Sequence, residues 1–403
     1  MRAVDSIKDS LKKLPPLHSL GTRYRSLGQT RQIEDEQSYY EKKADKLGLL
    51  RDYSMDEVKH RLKERLSNRG IRLSPKTKEE LHIVFASRPV NWVLQNIAPA
   101  LKKTANVTTY YYPEYGFGDE ENWFNIRDDM NEHLVKFVRD LHSAKPVDLI
   151  LTYFSGYRIN CQTIETINNM GIVTSAFNLD DRLSFKGPFE GGRYSGPVDV
   201  CKYYDLNLTQ APESLVKYRV EGSVAMLLPL GANQDFFYPR NAPFRYDVSF
   251  VGTAHGNRKF VINYLRENGI KVETFGSGWP GGFIPDEKVP EIFSSSRINL
   301  NFGDIAYTDY QCGKSRDFEI SMAGGLMLTT HNPHLADYFE VDKEIFTFTG
   351  KQDCVRQIRR LLNDESLCEK ARKSARERAL REHTWESRAK VLLETIGFRK
   401  KYD

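Results

Sequence analysis

Hydrophobic and polar positions divide the chain into two textures. Through residue 79 the apolar positions are sparse, set among Lys, Arg, Glu and Gln with few β-branched residues. Within this stretch "RQIEDEQSYYEKKADKLGLLRDY" and "SMDEVKHRLKERLSNRG" both read as helices. Ser54 followed three residues later by Glu57 is a capping-box start, and Gly70 is a stop. The segment "IKDSLKKLPPLHSLGTRYRSLGQ" mixes Leu with Lys and Arg and is broken by Pro15-Pro16. Two readings stand for it: a helical appendage packed on the main body, or an amphipathic segment that meets a membrane or a partner.

From Leu81 short apolar runs alternate with amphipathic ones. "LHIVFAS", "NVTTYYY", "VDLILTYF", "IVTSAFN", "YDLNLTQ" and "SVAMLLPL" have strand length and β-branched or aromatic content. Between them "PVNWVLQNIAPALKKT", opened by Pro89, "NWFNIRDDMNEHLVKFVRDLHSA", "CQTIETINNMG" and "PESLVKYRVEG" have helical spacing. A stretch rich in Pro, Asn and aromatics, "LPLGANQDFFYPRNAPFRYD", interrupts the alternation and suggests a domain boundary near Pro239. The alternation then resumes with the strands "YDVSFVG", "IKVETFG", "RINLNFG" and "LMLTT", and the region from Gln352 to Phe398 reads as wholly helical. The pattern predicts an α/β chain of two Rossmann-like domains facing a cleft, with ligands at the carboxyl ends of the strands. The expected divisions are a helical extension over 1–79, a first domain over 80–238, a second over 239–383 and a closing helix over 384–403.

Length and composition agree with this picture. At 403 residues, 40% hydrophobic and 12% aromatic, the chain has enough apolar content for two or three globular cores. The net charge of +5 is mild. It suits an anionic small ligand, and no nucleic-acid motif accompanies it. The odd count of five cysteines, with no Cys-x-x-Cys pair, argues against a disulfide framework or zinc ribbon and for a reducing compartment. The N-terminus lacks a signal-peptide core and no run reaches membrane-spanning length, so a soluble cytoplasmic or at most peripheral protein is expected.

Candidate chemistry concentrates in the second domain. In "SFVGTAHGNRKFVINYL", Gly252 and Gly256 allow a tight turn between a strand and a helix. Arg258 and Lys259 sit in the helix's first turn, where they oppose its dipole unless an anion such as a diphosphate is bound. A surface helix with solvated basic residues is the plainer alternative. The spacing is not Gly-x-Gly-x-x-Gly, which disfavours NAD. His255, in the same turn, can bond a phosphate or a sugar, or be a solvated loop residue. In "KSRDFEISMAGGLMLTT", Phe318, Ile320 and Met322 demand burial on more than one flank, while Arg316 and Glu319 share another direction. This i, i+3 pair is either a local salt bridge or a binding set. A carboxylate such as Glu319 accepts two hydroxyl bonds and suits a ribose or sugar diol, and Lys314 and Arg316 suit phosphates.

Other candidates are more evenly balanced. The loop "FGSGWPGG" offers Gly278 and Trp279 to the cleft, or is an ordinary turn with a packing Trp. Asn301 and Tyr307 are placed near the site by position alone. Asp180 and Asp181 follow a first-domain strand, where either would serve as an acceptor-side base or bind an acceptor hydroxyl, or else cap a helix. The residue two before Asp180 is Asn178, so no Asp-x-Asp metal motif is present. His331 and His334 lack partners at a metal-ligand spacing. Nucleophile-elbow and Walker motifs are missing, which sets hydrolase and ATPase readings aside.

The stretch "KSRDFEISMAGGLMLTTHNPHLADYF" resembles the donor-site helix of bacterial GT-B glycosyltransferases, most nearly the CgeB-like branch. "LPLGANQDFFYP" resembles their inter-domain linker, "SFVGTAHGNRKFVINYL" their first donor-domain turn and "REHTWESRAKVLLETI" their closing helix. The resemblance covers about residues 220–397, and 80–220 by architecture only. It implies a glycosyltransferase using a nucleotide diphosphate sugar, with a glycan, lipid-linked or protein acceptor and no cofactor or essential metal. It also implies that Glu319 holds the ribose or sugar and that Arg258 and Arg316 steady the diphosphate, with Lys314 beside them. Relatives in glycosyltransferase family 4 often carry a Glu eight positions before that of Glu319. Here the position is Gln311, which keeps a non-catalytic binding protein open as an alternative, as is an epimerase of the same fold.

Overall fold

Strands form where apolar runs can be buried on both faces, as a parallel sheet under two helical layers requires. In the computed structural model, which describes residues 15–400 apart from 120 and 155 and side chains from Ser26 onward, β1 is His82–Ser87 and β2 is Asn106–Tyr111. β3 is Leu149–Tyr153 and β4 is Val173–Asn178. A small antiparallel hairpin follows, β5 (Phe189–Glu190) and β6 (Arg193–Tyr194), and then β7 (Leu206–Thr209) and β8 (Ala225–Leu227). Apart from the hairpin these strands form one parallel sheet in the order β2-β1-β3-β4-β7-β8. A second parallel sheet, ordered β10-β9-β11-β12-β13, is built from β9 (Tyr246–Val251), β10 (Val272–Phe275), β11 (Ser296–Asn301), β12 (Met327–Thr330) and β13 (Phe346–Phe348). Each sheet reverses its winding direction beside its first strand, at β1/β3 and at β9/β11. Such reversal points open a crevice at the strands' carboxyl ends. The fold is therefore two Rossmann-like units, as the alternation predicts.

Three local features refine the pattern. The short strand β13 escaped the pattern because Phe346, Thr347 and Phe348 make only one apolar alternation. The C-terminal region is three helices, Gly350–Leu362, Glu365–Glu382 and Trp385–Ile396. Asp364 accepts from the Leu367 N–H at 3.0 Å, and Thr384 from the Ser387 N–H at 3.0 Å. Each cap starts a new helix, so the expected helical region divides into three, the last beginning at the expected start of the closing helix. The helix after β1 is not regular either: Val93–Ile97 is π-wound before Ala98–Thr104 resumes the α form. Pro99 lacks the N–H that would close on the Gln95 carbonyl. That carbonyl instead accepts from Asn233 Nδ2 at 2.7 Å.

The N-terminal helices pack on both halves of the molecule. Met55–Asn68 is capped by Ser54, whose Oγ accepts from the Glu57 N–H at 3.4 Å, and buries Val58, Leu62 and Leu66 in the main core. Pro15–Lys46 runs across the two units. Ile33 packs with Ile305 and Cys312 of the second, while Tyr40 packs on Phe185 and Tyr218 of the first. Glu36 reaches Lys217 of the first unit at 2.8 Å, and both side chains are enclosed. Gln29 Oε1 accepts from the Tyr307 N–H at 3.1 Å on the second. Residues 29–40 of this helix are thus packed on the body; of the segment with two readings, residues 1–14 and the side chains through residue 25 lie outside the described residues. At the other end Trp385–Ile396 returns to the first unit, where Trp385, Ala389 and Leu392 join a core with Phe85 and Leu208. Among the described residues no helix is long and apolar enough to cross a membrane.

Candidate functional site

The carboxyl ends of the two sheets face each other across a cavity of about 380 Å³. From the second unit come the turn after β9 (Gly252, Thr253), the turn after β10 (Gly276, Ser277) and the start of the helix Ser315–Met322, with Lys314, Arg316 and Glu319. From the first unit come Trp92 and Gln95 after β1, Asp180 after β4 and Gln210 after β7.

Gly252 has φ 152°, and a Cβ there would stand 3.0 Å from the Phe250 ring and 3.3 Å from the Arg316 guanidinium. A side chain would crowd the space Arg316 occupies. Arg316 Nε donates to Asn301 Oδ1 at 3.0 Å. Asn301, fully buried at the end of β11, donates through Nδ2 to Asp317 Oδ1 at 2.6 Å. Asp317 Oδ2 in turn accepts the Lys314 N–H at 2.7 Å and fastens the helix start. Asn301 therefore does not enter the cavity; it aims Arg316. The local Arg316–Glu319 bridge, one of the two readings of that pair, gives way to the Arg316–Asn301 bond.

Glu319 is 8% exposed, and its Oε1 accepts from Asn96 Nδ2 at 2.9 Å. Burial pushes its carboxyl up to about 7, against the opposing pull of Arg316 and Asn96. Lys314 Nζ lies 3.5 Å from Asp180 Oδ1 across the cleft. Asp180 has φ 56°, the left-handed conformation that is uncommon for a side-chain-bearing residue and is often held at functional sites.

The remaining expected residues are distributed unevenly. Arg258 lies behind the cavity wall, with Nη1 donating to the Thr253 carbonyl at 2.9 Å. Burial and the neighbouring Arg316 lower it to about 10. Both guanidiniums stand over the Phe250 ring, at 5.6 and 5.9 Å. Two crowded cations at the opening of a strand–turn–helix are relieved by an anion. His255 packs beside Tyr307 at 5.3 Å between ring centres and does not line the cavity. Burial, with Arg258 and Lys314 nearby, lowers its pKa.

Gly278 and Trp279 also stay out of the cavity wall. Trp279 is a core residue against Phe250, and its Nε1 donates to the Gly252 carbonyl at 2.7 Å. Gly276 and Ser277 of the same loop line the cavity instead. The adjacent acids are separated by the backbone. Asp180 faces the cleft, while Asp181 is wholly enclosed and accepts from Thr209 Oγ1 at 3.0 Å and from Tyr218 OH at 2.8 Å. Asp181 is thus bound up within the first unit and cannot reach a ligand in the cavity. Gln311 is also engaged internally, donating to Asp304 at 2.7 Å and accepting from Thr330 at 2.7 Å. Among the described residues no cluster of His, Cys, Asp and Glu is arranged to hold a metal ion.

The first-unit residues Trp92, Gln95, Asn96 and Gln210 were not anticipated. Gln210 is 8% exposed, lines the cavity and has an Oε1 with no hydrogen-bond partner in the structure. Its place directly after β7 was the available signal, since ligands gather at strand ends. A second cavity of about 410 Å³ continues from the first through Trp92, Leu179 and Asp180. It is walled by aromatic side chains of the first unit, among them Tyr153, Tyr157 and Phe177.

Comparison with known proteins bears on the fold. Residues 258–394 match the family model described as glycosyl transferase-like. No curated protein matches the chain in sequence. Among solved structures, sucrose-phosphate synthase from Thermosynechococcus elongatus is similar with a TM-score of 0.56 at 13% identity, over 77% of this chain and 96% of that one. A glycosyltransferase from Rickettsia africae gives 0.57 at 11%, over 80% and 100%. Anabaena HepE in complex with UDP gives 0.54 at 11%, over 78% and 99%. HepE is also known with UDP-glucose bound. These likenesses show the GT-B fold over 77–80% of the chain.

Proposed function

We propose that the chain is a glycosyltransferase that moves a sugar from a nucleotide diphosphate sugar to an acceptor bound by the first unit. The observation that carries this reading is the convergence of Lys314, Arg316 and Glu319 on one inter-domain cavity at a turn that Gly252 keeps clear. The match over residues 258–394 falls on the same unit, and the HepE complexes put UDP and UDP-glucose on a protein of the same fold. Arg316 and Lys314 stabilise the leaving diphosphate together with the N–H groups at the starts of the helices Arg258–Glu267 and Ser315–Met322. Arg258 adds positive potential from behind the wall. In this reading positive side chains supply the charge stabilisation that a bound metal supplies elsewhere. Glu319 accepts hydroxyl hydrogens of the ribose or of the transferred sugar.

The aromatic-walled cavity is the acceptor side, because it opens onto the first through Asp180. Sugar rings present C–H faces that pack on aromatic rings. In this reading Asp180 orients or deprotonates the acceptor hydroxyl, with Lys314 as its ion-pair partner across the cleft. A glycan, lipid-linked or protein acceptor fits this geometry, and the motifs around Lys314–Glu319 favour the CgeB-like branch. All five cysteines are free thiols, which suits a reducing cytoplasm. The test is release of free nucleotide from a panel of nucleotide sugars, with and without candidate acceptors. Acceptor-stimulated release that Asp180→Asn abolishes supports the reading. Product that is an isomerised nucleotide sugar, formed without acceptor, replaces it with an epimerase.

A further inference from the structure

Asn96 is fully buried in the π-wound turn of the first unit, yet its side chain serves the second. Its Oδ1 accepts from the Asn233 N–H at 2.8 Å, in the segment that joins the units. Its Nδ2 donates to Glu319 Oε1 at 2.9 Å. Asn233 locks the turn from the other side, with Nδ2 on the Gln95 carbonyl that Pro99 leaves open. The spare carbonyl comes from Pro99, which has no N–H to close a regular turn on it, and Asn233 takes that place. The π-wound turn lies at the same point, and such turns are frequent at functional positions.

Resting on the donor-site reading above, we propose that Asn96 is a positioning residue for Glu319. It fixes the carboxylate's orientation toward the ligand, and does so only while the two units are apposed. The bond spans the cleft, so separating the units breaks it and leaves Glu319 without that donor. Cleft closure and donor recognition are thereby coupled through one amide.

The electrostatics of Glu319 support the geometry. Its own helix presents Arg316, which favours the ionised carboxylate, and Asp317, which opposes it. Asp286, ahead of the helix Val289–Ser294, opposes it as well. The helix Glu365–Glu382, packed along the same helix, contributes Ala375 and Ala379 to the shared core. A buried carboxylate needs donors to remain charged, and Asn96 is the cross-domain one.

Two variants separate positioning from mere packing. Asn96→Ala removes both bonds. Asn96→Asp keeps an oxygen for the Asn233 N–H but loses the donor to Glu319. The experiment reads two quantities in wild type and both variants. One is the titration midpoint of the Glu319 carboxyl, followed by 13C NMR and assigned by its disappearance in Glu319→Gln. The other is the affinity for UDP-glucose or whichever nucleotide sugar the wild type binds. The midpoint should move to higher pH in Asn96→Ala. Nucleotide-sugar affinity at neutral pH should fall about tenfold in both variants, the size expected for losing a hydrogen bond to a charged group. A midpoint that stays in place, or an Asn96→Asp protein that binds like wild type, overturns the proposal. If the wild type binds no nucleotide sugar while the midpoint still moves, the donor reading fails and the positioning of Glu319 stands.

Discussion

The two walls of the cleft are built from different chemistry. The second-unit wall is charged and rigid: Arg316 is aimed by Asn301, which is held by Asp317, which caps the same helix. The first-unit wall is mainly aromatic and amide-bearing, with Trp92, Gln95 and Gln210, Asp180 as its cleft-facing acid, and Arg88 and Arg158 in the adjoining cavity. Electrostatic preorganisation works where dipoles and charges cannot relax. A stacking and hydroxyl-binding surface needs shape more than charge. On the proposed function the difference divides the labour: the charged wall would carry the diphosphate, and the aromatic wall would select what the sugar is given to.

The sharpest way to break this comparison is Arg316→Ala. It should lower kcat/KM by at least about a hundredfold, because a charge-assisted phosphate contact is lost. A loss of only a few-fold would mean that the charged wall is not the diphosphate site. Next in size is a change outside both walls. Glu36→Ala leaves Lys217 buried with only the Asp181 and Arg182 carbonyls as partners. It should cost about 3 kcal/mol in denaturant unfolding. Unchanged stability would remove the N-terminal helix from the account of what holds the units in place.

Glu319→Gln probes the charged wall more gently. It should weaken nucleotide-sugar binding about tenfold, since a neutral amide offers a poorer acceptor for hydroxyls. In the wild type, affinity should rise with pH through about 7 as the Glu319 carboxyl ionises, and the variant should lose that rise. The stability effect has the opposite sign. A carboxyl pushed up from 4.5 to about 7 by burial favours the folded state while protonated, so its contribution fades as pH climbs through that window. Titration calorimetry and thermal melts across pH 5–9 check both signs. The smallest effect falls on the aromatic wall. Tyr157→Ala should raise the acceptor KM about fivefold and leave donor affinity alone. Equal losses for donor and acceptor would erase the distinction between the walls.

The same division explains what could be read from the chain. Lys314, Arg316 and Glu319 lie within six positions of one helix start, so their meeting at one cavity could be expected from the spacing. Both parallel sheets were legible except for β13, because their other strands are apolar runs bounded by turn residues. Asn96 and Gln210 were not, since a buried amide in an apolar helix or after a strand carries no periodic signature. Their role exists only once residues more than a hundred positions apart are brought together. Asp180 and Asp181 show the limit most plainly. They are chemically identical neighbours, and the left-handed backbone at Asp180 is what sends one to the cleft and the other into the core. Trp279 misled for the opposite reason: a Gly-rich loop with an aromatic looks like a ligand platform, but here the indole fills the core beside Phe250.

The most direct test of the account is a calorimetric titration of the full chain with UDP-, GDP-, ADP- and dTDP-sugars, repeated on Arg316→Ala. The account predicts that one nucleotide family binds the wild type and that its binding is lost in the variant while the variant's melting curve stays cooperative. Binding of none of them to well-folded protein, or equal binding to both proteins, would contradict it.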